Sequence, residues 1–488
     1  MSEHLRRTKI VATLGPATDP PDALARVLEA GVDVVRLNFS HGDAEEHGRR
    51  CRAVREAAAR IGREVAVLGD LGGPKIRIER FAAGRVDLVA GQEFVLDARP
   101  DAPAGDSGRV GVSYPGLPGD VVVGDTLLLD DGLVALEVTA VEPPRVRTRV
   151  LTDGQLSDRK GLNKLGGGLS IDALTAKDRA DIELAARLGL DFVAVSFCRS
   201  AADMDLTREL IRQAGGEAGV IAKIERAEAI ANLAEIIDAS DAVMVARGDL
   251  GVEIGDAELP GLQKKIIREA VQRRRAVITA TQMLQSMVDA PVPTRAEVLD
   301  VANAVIDGTD AVMLSAETAV GRYPERAVAT MARVCRGAER QFESRPDFSA
   351  QDSALERTDQ AIALAAMFLS SQVGVRAIVA LTESGATARW LSRYRTQVPI
   401  LALSRSQAAR RRMALLRDVY PIAFDAPGGN PQLAAREAVR RLHELEYLAE
   451  GDRVLLTTGD HTGALGGTNT LKLLRVGVGG IAEGLGEL

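Results

Sequence analysis

Short apolar runs rich in β-branched residues recur along the chain, and most are followed by a longer stretch in which apolar positions return every three or four residues. The runs fall at 9–14 (KIVATL), 33–39 (DVVRLNF), 65–70 (VAVLGD), 192–197 (FVAVSF), 219–225 (GVIAKIE), 242–247 (AVMVAR), 276–281 (AVITAT) and 311–317 (AVMLSAE). Strands alternating with helices predict successive βα units around a parallel sheet, and eight strands is the number that closes a (β/α)8 TIM barrel. An open doubly wound sheet fits the same pattern. Several runs finish on polar or charged residues, at the rim where a barrel of this kind assembles its chemistry.

Between the third and fourth runs the period changes to two, punctuated by Gly and Pro, as in RVDLVAGQEFVLDA and DVVVGDTLLLDDGLVALEVTAV. This predicts an antiparallel β domain, a β-barrel lid over residues 72–170, inserted into a barrel made of residues 1–71 and 171–345. It starts at Gly72, Gly73 and Pro74 and ends at Gly166, Gly167 and Gly168, so both connections sit where a backbone can flex. Such junctions suit a lid on two hinges, or a rigid insertion. After the polar stretch SRPDFSAQDSALERTD a new alternation begins, with helices at 359–372, 386–394, 405–416 and 431–447 and strands at 376–381, 398–403, 419–424 and 452–457. We read it as a C-terminal α/β domain over 346–488.

Composition narrows the function classes. A length of 488 residues exceeds what one core usually serves. A formal net charge of −7 with 3% aromatic residues offers neither a basic field nor stacking platforms, so nucleic acid is not an expected partner. No apolar run approaches a membrane span, and no secretory signal precedes the first strand. The three cysteines, Cys51, Cys198 and Cys335, are too few and scattered for a disulfide framework, and the expected location is the cytoplasm.

The densest chemical signal is Lys223-Ile224-Glu225, whose two-residue spacing puts an ammonium and a carboxylate on one face of the fifth strand. Asp249, just past the sixth strand in ARGDLG, adds a second carboxylate from a neighbouring strand. Two such groups facing one cleft form a hard oxygen site suited to Mg²⁺ or Mn²⁺. Taken singly, Lys223 is also readable as a snorkelling lysine and Glu225 as a strand-end acid. Gly248 lets a ligand approach the backbone, and a helix beginning there would turn free N–H groups to an anion. On the second strand Arg36, Asn38 and Ser40 share a face, a guanidinium for phosphate beside two neutral oxygen donors, while Leu37 and Phe39 face the helices. Asp70, Thr281, Ser315 and Glu317 close the remaining strands. A loose dinucleotide-type match at 477–482 (GVGGIA) has no room for its helix and is set aside, and no Walker loop is present.

In these stretches the chain resembles the pyruvate kinases: TKIVATLGPAT, VVRLNFSHG, GDLGGPKIR, RKGLN, IAKIER, VMVARGDLGVE, VITATQML and PTRAEVLDVANAVIDGTDAVMLSAET. The likeness runs over essentially the whole sequence. It implies a cytoplasmic homotetramer that converts phosphoenolpyruvate and ADP to pyruvate and ATP. By resemblance Arg36 grips the phosphoryl group and Lys223 stabilises the transferring phosphoryl and the developing enolate. Glu225 and Asp249 hold the divalent ion, with Gly248 at the substrate carboxylate. Thr281 stands near the carbon that becomes the methyl, with Ser315 as an alternative proton relay. Asn38, His41, Arg77 and Lys160 match nucleotide-contacting positions, the last two from the lid.

One departure affects cofactor use. Potassium-dependent members carry Thr-Lys-Gly-Pro-Glu after the third-strand Asp; here the run is Asp70-Leu71-Gly72-Gly73-Pro74-Lys75. Asn38, Ser40, Asp70 and the carbonyl of Leu71 retain the monovalent-cation positions, while Lys75 replaces the Glu. A fixed ammonium can supply the charge K⁺ would bring, so the expectation is Mg²⁺-dependent, K⁺-independent turnover; a solvated hinge lysine is the plainer account. In the C-terminal domain Thr382, Ser384, Gly385 and Thr387 join a strand to a helix, as an ordinary cap or as an anion pocket. The resemblance makes it the pocket for a phosphorylated effector, AMP or a sugar monophosphate, faced by the 458–469 loop. Two other functions fit parts of the pattern: a phosphoenolpyruvate enzyme that does not use ADP, and a silent metabolite sensor.

Overall fold

Eight parallel strands close into a barrel: β1 (Lys9–Thr13), β2 (Val34–Asn38), β3 (Ala66–Asp70), β4 (Phe192–Val195), β5 (Gly219–Ile224), β6 (Ala242–Ala246), β7 (Ala276–Ala280) and β8 (Ala311–Leu314). Each pairs with its sequence neighbours and β8 returns to β1, which excludes the open sheet. The computed structural model describes residues 5–341, 355, 357–395, 398–427, 430–460 and 467–485; the junction expected at 345/346 lies outside them.

Strand alternation sorts the core into two layers. Val35, Leu37, Val67, Val193, Val220, Ala222, Ile224, Val243 and Val245 point outward into the layer shared with the helices. Val34, Leu68, Ala194, Ile221, Met244, Ile278 and Met313 fill the barrel interior. All barrel strands but β3, which ends at Asp70 as expected, stop one to three residues short of the expected ends. Ser315 and Glu317 therefore leave β8: Ser315 stands at the N-cap position of, and Glu317 belongs to, the short helix Ala316–Ala319.

Between β3 and the helix Ala176–Arg187, the inserted segment forms a six-stranded sheet and a two-stranded ribbon around their own core of Phe94, Leu96, Leu127, Leu136 and Val146. The six-stranded sheet is antiparallel except where Glu93–Asp97 meets Arg109–Gly111. Gly73, Gly166, Gly167 and Gly168 at its two connections all have positive φ (+64°, +83°, +78° and +95°). At Gly73 a side chain would also collide, a Cβ lying 2.8 Å from both Phe197 and Ser196.

The C-terminal sheet contains β9 (Ala377–Leu381), β10 (Ile400–Ser404), β11 (Val419–Ala423), β12 (Arg453–Gly459), β13 (Thr468–Val476) and β14 (Ala482–Glu483), in the order β11-β10-β9-β12-β13-β14. The antiparallel pair β13 and β14 was not anticipated. Residues 477–481 form the turn between them and Ala482 opens β14, so the dinucleotide-type match at 477–482 is coincidental. No helix among the described residues is long and apolar enough to cross a membrane.

Candidate active site

The inward positions at the C-terminal ends of the strands form one polar layer above the apolar barrel interior. Arg36 Nε donates to Asp70 Oδ2 at 2.6 Å and its Nη1 to Thr13 Oγ1 at 3.1 Å. Lys223 Nζ lies 2.8 Å from Glu225 Oε1, 3.3 Å from Asp70 Oδ1 and 2.7 Å from Ser196 Oγ. Five strands thus meet through one guanidinium and one ammonium. Sequence reading missed Thr13 and Ser196, although both carry inward parity at the ends of β1 and β4.

Burial sets the electrostatics. Burial pushes the Asp70 carboxyl up, but Lys223 and Arg36 outweigh it and hold that carboxyl below its ordinary range. Desolvation also works against the Lys223 ammonium, and Asp70 with Glu225 more than restores it, so this lysine stays charged. For Glu225 burial wins: its pKa is raised despite Lys223, and nearby Asp249 adds to the rise. Glu225 Oε2 accepts the N–H of Phe197 at 2.9 Å, and Phe197 sits at φ +57°, a conformation uncommon for a bulky residue.

Asp249 lies on the helix Arg247–Ile254, which begins directly after β6. The Gly248 N–H is not free for an anion: it donates to Thr281 Oγ1 at 2.9 Å. Thr281 has outward parity, yet a φ of +69° turns it into the rim, where its hydroxyl donates to Ala280 O at 2.6 Å. Arg247 fixes that turn by donating to the carbonyls of Ala280 (3.1 Å) and Thr281 (2.6 Å) while paired with Asp300. Glu317, expected among the converging polar groups, instead accepts from the N–H groups of Leu284 and Ser315 and is fully buried. It braces two loops, because a residue on a helix after the strand no longer follows strand parity.

Asn38 Oδ1 accepts the Ser40 N–H at 3.2 Å, and the Leu71 carbonyl accepts the Ser196 hydroxyl at 2.7 Å. Lys75 pairs with Asp249 at 2.9 Å, not with the Asn38, Ser40, Asp70 and Leu71 group. His41 is exposed beside them. In the lid, Arg77 bonds Arg159 O and Lys160 pairs with Asp130, on adjoining segments bridged at Arg77 and Gly161. Among the described residues no group of three or more His, Cys, Asp or Glu side chains forms a metal cage. Glu225 and Asp249 still suit a hard dication that keeps waters, since their mutual repulsion is part of what raises Glu225.

In the C-terminal domain the loop between β9 and the helix Ala386–Ser392 turns on Gly385 (φ +84°). Thr382 Oγ1 accepts from Gly385 N at 3.0 Å, Ser384 Oγ from Ala386 N at 3.4 Å, and Thr387 shares a hydrogen bond with Thr468 at 2.7 Å. The Thr382 and Ser384 hydroxyls bond the backbone of their own loop, while Gly385 at the N-cap position has no side chain to cap the helix. Residues 461–466 of the facing loop lie outside the described residues.

A closed parallel barrel whose C-terminal rim is lined with paired cations and carboxylates, with an inserted β domain and an α/β appendage, has the architecture of a (β/α)8 enzyme. Family profiles described as "Pyruvate kinase, barrel domain" and "Pyruvate kinase, alpha/beta domain" match residues 5–328 and 360–474. The chain is 53% identical to pyruvate kinase II of Salmonella typhimurium over 98% of its own length and 100% of that relative. It is 52% identical to the pyruvate kinase of Haemophilus influenzae, over 94% and 97% of the two chains. A crystal structure of a pyruvate kinase from Cryptosporidium parvum superposes with a TM-score of 0.90 at 34% identity, covering 96% of each chain. The chain belongs to the pyruvate kinase family and is a phosphotransferase.

Proposed function

We propose that this enzyme carries the phosphoryl group of phosphoenolpyruvate to ADP, in the direction of pyruvate and ATP, with Mg²⁺ or Mn²⁺ held by Glu225 and Asp249. The observation that supports it most is the convergence of Arg36 and Lys223 on Asp70 and Glu225 at the barrel rim. Phosphoryl transfer needs positioning and charge neutralisation more than covalent chemistry. Arg36 grips the phosphoryl oxygens, and Lys223, kept charged by its carboxylates, faces the moving group and the enolate oxygen. The divalent ion, when bound, neutralises phosphoryl and carboxylate oxygens. Gly248 and Thr281 border the substrate carboxylate and the carbon to be protonated, with Ser315 as the alternative proton relay. Asn38, His41, Arg77 and Lys160 receive the nucleotide, and the lid excludes the water that competes with ADP.

Turnover in this reading is independent of K⁺, supported by the Lys75 ammonium already at the rim. Initial rates of pyruvate formation from phosphoenolpyruvate and ADP with Mg²⁺ test both claims, in K⁺-free buffer and then with KCl at constant ionic strength. Full activity without K⁺ is expected; activity only with K⁺ would keep the reaction and remove the role of Lys75, and silence in both, with AMP and sugar monophosphates also failing to activate, would remove the proposed reaction.

The C-terminal domain takes a phosphorylated effector, AMP or a sugar monophosphate, at Thr382, Ser384, Gly385 and Thr387. Its support is topological: strand order reverses between β9 and β12, and ligands of open α/β sheets bind where that happens. Ser384→Glu, which puts a negative charge where phosphate docks, is expected to raise the activating concentration at least about tenfold. The assembly is a homotetramer, supported by the exposed apolar residues Val292, Leu299 and Ile306, the last two seven positions apart on one face of the helix Arg295–Asp307.

A further inference from the structure

Lys75 follows the entrance hinge of the lid, and the hinge controls where its side chain can reach. Gly73 donates its N–H to Asp178 Oδ1 at 3.0 Å and packs so closely on Phe197 and Ser196 that no Cβ fits. On the lid side Gly161 lies against the lysine stem, a Cβ there falling 3.3 Å from Lys75 Cε. Directed from both sides, the ammonium meets Asp249 Oδ1 at 2.9 Å, with 31% and 24% of the two side chains exposed.

At the rim Asp70, Glu225 and Asp249 pair with Arg36, Lys223 and Lys75 in order. Asp70 is held by Arg36 and Lys223, and Glu225 by Lys223, all within the barrel; Asp249 is held by Lys75, which comes from the lid side. A dication on Glu225 and Asp249 would bring two positive charges against an ammonium on the same carboxylate. Like charges at that separation repel strongly in a partly buried site. Arg36 and Lys223 each keep Asp70 whatever happens at Asp249, whereas Lys75 has a flexible stem and an open side towards which to move.

We infer that Lys75 competes with the divalent ion for Asp249 and, in the metal-free protein, ties the lid hinge to the barrel rim. This rests on the proposed assignment of Glu225 and Asp249 to the metal. Metal loading releases the tie, and the freed ammonium is taken up again by an anionic group of the substrate. The lid is thus held near the rim before metal arrives, loosened by metal alone, and held again by metal and substrate together.

The test is Mn²⁺ binding to the full-length, metal-stripped protein without substrate, read from the electron paramagnetic resonance signal of free Mn²⁺. Lys75→Met is expected to bind Mn²⁺ about threefold or more tighter than the parent. Asp249→Asn is expected to bind it at least about tenfold more weakly, and adding Lys75→Met to that variant to change nothing further. Unchanged affinity in Lys75→Met, with Asp249→Asn weakened, overturns the tie and leaves the metal assignment standing. Equal tightening in both backgrounds also overturns it, since Lys75 would then act only through its general field. No effect of Asp249→Asn overturns the metal assignment itself. Hydrogen exchange over residues 72–78 gives a second readout: Mn²⁺ alone should speed exchange in the parent, and Lys75→Met should already be fast. Slower exchange on adding Mn²⁺ to the parent would overturn the tie.

Discussion

Lys223, the lysine proposed to face the moving phosphoryl group, is fixed by three different groups: Glu225 just past the end of its own strand, Asp70 on β3 and Ser196 after β4. Lys223→Met is expected to lose several orders of magnitude in phosphoryl transfer while far-ultraviolet circular dichroism stays native. A loss below about tenfold, equal to about 1.4 kcal/mol of transition-state stabilisation, would contradict its role. Ser196 tests the scaffold around it. Its hydroxyl accepts from Lys223 and donates to the buried carbonyl of Leu71, so Ser196→Ala frees the lysine and strands an acceptor. The expectation is about tenfold lower kcat/KM and about 1–3 kcal/mol of lost stability, read by steady-state kinetics and denaturant unfolding. Unchanged kinetics would show that the two carboxylates alone position the lysine.

At the scale of elements, the exit hinge of the lid is clamped onto the barrel by hydrogen bonds to Glu253, Glu228 and Arg226. Gly166 N–H donates to the Glu253 carbonyl, Gly168 N–H to Glu228, and Arg226 to the Leu169 carbonyl. Burial pushes the Glu253 carboxyl up to about 7 from its ordinary 4.5, against the pull of the Ala227 N–H and Arg226. The folded protein therefore holds a proton there that the unfolded chain has released above about pH 4.5. Stability from this group is fully present below that value and is lost as pH rises to about 7. Glu253→Gln should flatten the stability profile across that window and raise stability at pH 8 by about 1–3 kcal/mol, measured by thermal unfolding at stepped pH. A slope as steep as the parent's would assign the titration elsewhere.

Across the whole molecule, the C-terminal domain is locked to the barrel floor by buried charge. Arg393 grips Asp310, just before β8, and the Arg275 carbonyl, while the Arg417 N–H donates to the same aspartate. Both side chains of the pair are almost fully buried. Arg393→Ala leaves Asp310 without its guanidinium and should cost about 3–5 kcal/mol in equilibrium unfolding; a loss under about 1 kcal/mol would mean that water reaches the aspartate. If the proposed tetramer forms through the exposed face of the helix Arg295–Asp307, Leu299→Asp should dissociate it, which light scattering of parent and variant would detect. A parent that is already monomeric would remove the tetramer.

What the sequence determined by itself were the properties that depend on neighbours along the chain. Period-two alternation told which residues of each strand face inward, so Arg36, Asn38, Asp70, Lys223 and Glu225 were legible as one lining, and the change of period marked the lid. The same parity already contained Thr13 and Ser196. Tertiary structure decided what depends on closure and on conformation beyond the strand ends. Thr281 reaches the rim only through a positive φ held by Arg247, and Glu317 is carried away by a helical turn that breaks the alternation. The pairing of Lys75 with Asp249 was equally out of reach, since it depends on where a glycine hinge sets down a side chain 174 positions distant in sequence. Strand parity is a local steric rule, whereas ion pairing across a barrel depends on how strands far apart in the chain are brought together.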